Sequence, residues 1–170
     1  LLFHEDEMAR HILVDVLKGD YKKEAKIVIC EAIADTRTTK EVIENPGDFI
    51  KPLVYQFYSP DKELANLGAE ALLIYRYEEL SDIFDELFLD EKTPLEAKLN
   101  AIYALRLQPQ QDAIIKLIEL TEDVNQQIAG AAQEAVKSLG IPDVKDKNAK
   151  MQIIKEIKQK GKNEFLKDWL

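Results

Sequence analysis

The sequence predicts an all-α chain: an α–α superhelix of about four stacked helix pairs, with one further helix at the C-terminal end. Three observations carry this. Apolar residues recur at helical spacing along nearly the whole chain, and alternating, strand-like runs are almost absent. Turn-forming clusters such as Asn45-Pro46-Gly47 and Ser59-Pro60-Asp61 cut the chain into short helical lengths. The small and branched residues of Asn125 to Gly140, NQQIAGAAQEAVKSLG, return in the same pattern three times upstream.

His4 to Lys18 reads as the first helix, with Ile12, Leu13, Val16 and Leu17 on one face, and Gly19-Asp20 ends it. Tyr21 to Asp35 is the second. Thr38, with Glu41 three residues on, has the form of a capping box and predicts a short helix that Asn45-Pro46-Gly47 must stop. Asp48 to Tyr58 resumes with Phe49, Ile50, Leu53, Val54 and Phe57 on one stripe. Pro52 lies near its start, where a missing N–H costs least. Ser59-Pro60-Asp61 then caps a helix running through LANLGAEALLIYRY. Ser81 is read as the cap of the next, which turns Ile83, Phe84, Leu87 and Phe88 inward.

Thr93-Pro94-Leu95-Glu96 is the clearest local start signal: Thr93 as N-cap, Pro94 at the first helical position and Glu96 closing a capping box. That helix reaches about Leu107. Gln110 to Leu120 and Asp123 to Leu139 form the next pair, closed by Gly140-Ile141-Pro142. Residues 147–160 make a last amphipathic helix, with Met151, Ile154 and Ile157 spaced by three. Gly161 interrupts it before Phe165, Leu166, Trp169 and Leu170.

The repeat emerges when the second helices are aligned on Ala32, Ala71, Ala104 and Ala135. The following residue is then Ile33, Leu72, Leu105 or Val136, always branched and apolar. Three before stand Ile29, Gly68, Ala101 and Ala132, and seven before stand Ala25, Leu64, Ala97 and Ile128. In the last three pairs Ile50, Ile83 and Ile114 lie 21 residues before the aligned alanine, followed four later by Val54, Leu87 and Ile118. The first pair fits after a one-residue shift, at Ile12 and Val16. The spacings are 39, 33 and 31 residues. A lone helix pair cannot bury both of its apolar faces, so such units must stack, and small residues at the contacts let them approach closely. Residues 1–142 are read as the repeats and 143–170 as a helix of the same domain that caps the open end of the array.

Charge narrows the function. The chain of 170 residues carries a net charge of −9. Residues 1–142 hold 15 basic and 27 acidic residues, a net of −12, and residues 143–170 hold 8 lysines against 5 acids, a net of +3. An acidic body argues against nucleic acid, because phosphate neutralisation needs clustered Lys and Arg. No apolar run approaches the roughly 18 residues of a membrane span. The lysine-rich tail is also able to form a partner or membrane-surface helix. The single cysteine, Cys30, has no partner within the chain, which predicts a reducing, cytoplasmic setting. A start at Leu1 and an end on Trp169-Leu170 are read as the cut ends of a longer protein.

The second-helix pattern resembles HEAT repeats: a small residue, two variable positions, then Ala followed by Leu, Val or Ile. The spacings of 31 and 33 are similar to the short bacterial-type units also found in phycobilisome lyases. The resemblance covers roughly residues 5–140. It implies a right-handed α-solenoid whose second helices line a concave, partner-binding side. Asp61 and Asp123 match the Asp often found near the start of the second helix in that family, but no Arg follows where one is usual.

The resemblance also raises enzymes to test. The iron-binding deoxyhypusine hydroxylase type carries repeated His-Glu pairs, and this chain has His4-Glu5 alone. HEAT-like DNA glycosylases need a basic groove. A phycobilin-lyase-like or metal-dependent activity remains the alternative. His4, Glu7, His11 and Asp15 are spaced by three and four, so they share one helix face and form a zinc-like set. The plainer account is the polar outer face of a terminal helix. Cys30 reads as a small core residue. There is no CxxC, no GxSxG and no Gly-rich phosphate loop.

A ladder of acids is the candidate site. One residue before each aligned alanine stand Glu31, Glu70, Tyr103 and Glu134; eight before stand Glu24, Glu63, Glu96 and Gln127. Seven residues is close to two turns, so the pairs share a face. They are the candidate partner-binding residues for a basic peptide or protein. No catalytic residue, cofactor or metal is assigned, and the expected function is a non-catalytic scaffold or adaptor. The competing explanation is local: acids in a first turn are favoured by the helix dipole, and Glu is a good helix former at exposed sites.

Overall fold

Among the described residues the fold consists of nine α-helices and three 3-10 turns, with no strand. The structure is a computed structural model that describes residue 2, residues 7–142 and residues 146–160. The helices are α1 (Glu7–Lys18), α2 (Lys23–Thr39), α3 (Ile50–Tyr55), α4 (Lys62–Ala71), α5 (Tyr77–Leu89), α6 (Leu95–Leu107), α7 (Gln111–Leu120), α8 (Gln126–Ser138) and α9 (Lys147–Lys160). The chain divides into two compact units, Leu1–Ala104 and Leu105–Leu170, so the break falls inside α6.

In the N-terminal unit α1 packs on α2 and α3, α3 on α4, and α2 most extensively on α4. The register seen in the sequence decides which residues are inside. Ile29 and Ile33 of α2, Gly68 of α4 with Leu72 just after it, and Ala101 of α6 are buried. On the first-helix side Phe49, Leu53, Val54 and Phe57 are buried. The Phe57 ring meets the Phe84 ring of α5 edge-on at 6.1 Å, and Tyr77 meets the same ring at 6.2 Å. Each such side chain removed from water contributes about 1.5–3 kcal/mol.

Two buried amides hold the helix junctions. Gln56, 1% exposed, donates from Nε2 to the carbonyls of Leu17 (2.8 Å) and Pro52 (2.7 Å), tying the end of α1 to α3. Asn100, also 1% exposed, donates from Nδ2 to the Phe57 carbonyl at 2.9 Å and accepts from Lys62 Nζ at 2.9 Å. Gly68 belongs to the same junction. A Cβ built there would lie 2.9 Å from Gln56 Cβ and 3.0 Å from the Leu53 carbonyl oxygen. Only a glycine allows α4 that close.

In the C-terminal unit α7 packs against α8 and α9. Asn125 caps α8, accepting from the N–H groups of Gln127 (2.9 Å) and Ile128 (3.4 Å). Gly140, with φ 80°, ends the segment in the left-handed region that glycine enters without strain. Buried Ala132 and Val136 repeat the register of the N-terminal unit. α9 turns Ile153 and Ile157 inward, and Lys150 reaches Thr121 Oγ1 at 3.0 Å.

Several expectations are corrected. No helix starts at Thr38. α2 runs on through Thr39, Thr36 and Thr38 donate their hydroxyls back to the Ile33 and Asp35 carbonyls, and Lys40 (φ 60°) closes the helix. Glu41 pairs instead with the Thr39 hydroxyl. The segment that resumes before Tyr58 opens as a 3-10 turn, Pro46–Phe49, and closes as another, Gln56–Tyr58. The helix begun at Asp61 ends as a 3-10 turn at Ile74 rather than running through Tyr77. Ser81 does not cap α5, because Glu79 Oε2 accepts from the Arg76 N–H and starts it five residues earlier. α6 begins at Leu95, one residue late; Pro94 supplies the first accepting carbonyl, and the Thr93 hydroxyl lies 3.5 Å from that of Tyr58. Ile12 is 50% exposed and Met151 61%, so neither joins its predicted stripe. The core residues of α9 are spaced by four, at 153 and 157. The predicted interruption at Gly161 and the apolar end at Phe165, Leu166, Trp169 and Leu170 lie outside the described residues.

Candidate functional site

The second helices of the N-terminal unit are stitched together by one repeated device. Lys23, the first residue of α2, reaches Asp61 (2.6 Å), which caps α4, and Glu63 (2.7 Å). Lys62, the first residue of α4, reaches Glu96 (3.6 Å) and Asn100 of α6. In the repeat register a lysine nine before the aligned alanine meets the acid eight before the next alanine. The starts of α2, α4 and α6 therefore lie side by side. Lys23 is held charged well above its usual range by hydrogen bonds to Asp61 and Glu63. Asp61 is held below its usual range by Lys23, helped by the Leu64 N–H.

This stitch changes the reading of the acidic ladder. Glu63 and Glu96 are exposed but neutralised by lysines from the preceding helix. Glu24, at the start of α2, is exposed with no ion pair among the described residues, and Gln127 of α8 is exposed and uncharged. The other row keeps its charge. Glu31 of α2, Glu70 of α4 and Glu134 of α8 are exposed and make no ion pair among the described residues, while Tyr103 of α6 is half-buried. Sequence reasoning placed both rows on one exposed face but missed the lysines, although Lys23 and Lys62 stand at the same repeat position.

Among the described residues no three His, Cys, Asp or Glu side chains converge to hold a metal ion. His4 of the zinc-like set lies outside the described residues. Cys30 is fully buried, and burial, with Glu31 next to it, pushes its thiol up to about 12. A thiol in that state is a core side chain and not a nucleophile. No helix among the described residues is long and apolar enough to cross a membrane.

A second surface was not anticipated. An open groove runs between α3 and α5, bordered by Lys51, Tyr55 and Tyr58 on one side and Glu86 and Asp90 on the other, with Val54, Ile83 and Leu87 along it. Past Lys51, Ile83 and Glu86 it continues to Val14 and Lys18 of α1, with Glu79 and Asp82 of α5 on the acidic side. The signal for it was present in Glu79, Asp82 and Glu86 of α5 and Asp90 at its C-terminal cap, which repeat by three and four. No protein-family model, curated protein or solved structure matches this chain.

Proposed function

We propose that the chain is a non-catalytic interaction scaffold, a HEAT-like α-solenoid whose parallel second helices offer unneutralised carboxylates to a basic peptide or protein. One observation carries the reading: Glu31 and Glu70 occupy the same register on two directly packed helices, exposed and without a paired cation among the described residues. A structural need for the acids would pair them, as the stitch pairs Glu63 and Glu96. The buried small residues at the contacts account for the packing and leave these positions for another use. Glu134 holds the same register on α8. The grooves described are open to solvent and lined mainly by apolar and single charged side chains, which suits recognition of a chain segment better than chemistry on a small substrate.

The test is an array of immobilised peptides of graded lysine and arginine content probed with the whole protein. Wild type is retained by the basic members, and Glu31→Lys/Glu70→Lys lowers retention roughly tenfold. Asp112→Lys/Glu119→Lys, which makes the same change in net charge on α7, leaves it near wild type. Equal loss in both variants means nonspecific attraction to an acidic protein and contradicts the proposal.

A further inference from the structure

The groove between α3 and α5 lies on the first-helix side of the N-terminal unit, separate from the Glu31–Glu70 row. Its two walls differ in kind. Along α5, Glu79, Asp82 and Glu86, and Asp90 just past its end, are all exposed. Glu79 is engaged by the Arg76 N–H and Asp90 by the Lys92 N–H. Asp82 and Glu86 have no intramolecular partner among the described residues. The opposite wall presents Tyr55 and Tyr58, 50% and 43% exposed, their rings stacked at 6.0 Å and 23°. Ile83 lies half-buried between the walls. Two adjacent tyrosines standing half out of the surface keep apolar ring area in water that a partner would cover.

We propose that this groove docks a peptide segment in which Lys or Arg alternate with apolar side chains. Charge complementarity selects the occupant. Asp82 and Glu86, four residues apart on α5, leave the helix at points about 6 Å apart along its axis. That matches the spacing of side chains on one edge of an extended strand, about 6.6 Å for every second residue. The intervening apolar side chains then meet Ile83 and the tyrosine rings. Lys51 on the far wall, without a side-chain partner among the described residues, disfavours a uniformly basic segment and makes alternation the better fit. An acidic peptide is repelled by α5, and a purely apolar one leaves Asp82 and Glu86 unpaired under cover.

The experiment is fluorescence anisotropy on the whole protein with a labelled octapeptide of alternating lysine and leucine, compared with octalysine and with alternating glutamate and leucine. In the Glu31→Lys/Glu70→Lys background, which removes the other acidic surface, the lysine–leucine probe binds at least about tenfold tighter than either comparison peptide. Asp82→Lys/Glu86→Lys and, separately, Tyr55→Ser each weaken it by about tenfold or more, whereas Asp112→Lys/Glu119→Lys leaves it within about twofold. All substituted positions are exposed, and a melting curve for each variant confirms an intact fold. The inference is overturned if octalysine binds as tightly as the alternating probe in the Glu31→Lys/Glu70→Lys background, or if Asp82→Lys/Glu86→Lys leaves binding of the alternating probe unchanged. Loss of alternating-probe binding only in the Glu31→Lys/Glu70→Lys variant assigns that peptide to the other face and equally overturns it. The array result for the Glu31–Glu70 row stands or falls independently.

Discussion

Gly68 and Gly130 are both helical glycines, and they illustrate how far one residue's neighbours decide its role. A methyl group on Gly68 would press on the Leu53 carbonyl and on Gln56, which is itself fixed by two hydrogen bonds. Gly130 of α8 has nothing within 4 Å of its would-be Cβ. Alanine in a helix interior gains about 0.8–1 kcal/mol over glycine, and overpacking costs typically 1–3 kcal/mol. Gly130→Ala should therefore raise stability by about 0.5–1 kcal/mol. Gly68→Ala should lower it by about 1 kcal/mol or more, the crowding outweighing the propensity gain. Urea unfolding of both variants checks the pair, and a stabilised Gly68→Ala would show that α4 has room to move. The contact role of Gly68 was legible in the sequence, from its place three before an aligned alanine. The buried role of Gln56 was not, because a polar residue between Tyr55 and Phe57 gives no sign that two carbonyls await it.

At the scale of elements, the helices that carry a strong apolar stripe were read to within a few residues; α7 and α8 are examples. What failed was local start chemistry. Thr38-x-x-Glu41 has the letters of a capping box, but α2 was already running and its threonines bonded backward into it. Ser81 lost to Glu79, since a carboxylate accepting the Arg76 N–H starts α5 earlier. The Lys23 stitch makes a prediction here. Asp61, its pKa depressed, contributes stability above its ordinary value of 3.8, and that contribution is lost as pH falls through its lower folded value. Lys23, its pKa raised, contributes below its ordinary 10.5, and that is lost only as pH rises through its higher folded value. Lys23→Ala should thus lower the melting temperature at neutral pH. The gap to wild type should close as the solution is acidified from the ordinary Asp value downward. Thermal melts across that range at low salt decide it; a gap independent of pH would show that only the lysine stem matters.

For the molecule as a whole, periodicity and the fourfold register gave the all-α class and most of the buried positions at and beside the aligned alanines, although Ala32 is only half-buried and Ala25, seven before it, is exposed. They did not give the division at Ala104 and Leu105, because α6 carries its stripe across it without a turn signal. The functional surface was half legible. Exposure follows from helix geometry, but neutralisation of one acidic row depends on which helices become neighbours, and the groove on α5 depends on what α3 leaves uncovered. The central claim is that the surviving carboxylates of α2 and α4 form a receiving surface. Its most direct test is an NMR titration of isotope-labelled full chain with octalysine, following backbone amides residue by residue. The account predicts shifts concentrated in the turns of α2 and α4 around Glu31 and Glu70, with little change around Glu63 and Glu96. Shifts spread evenly over every exposed acid, or strongest at the lysine-paired Glu63 and Glu96, would contradict it.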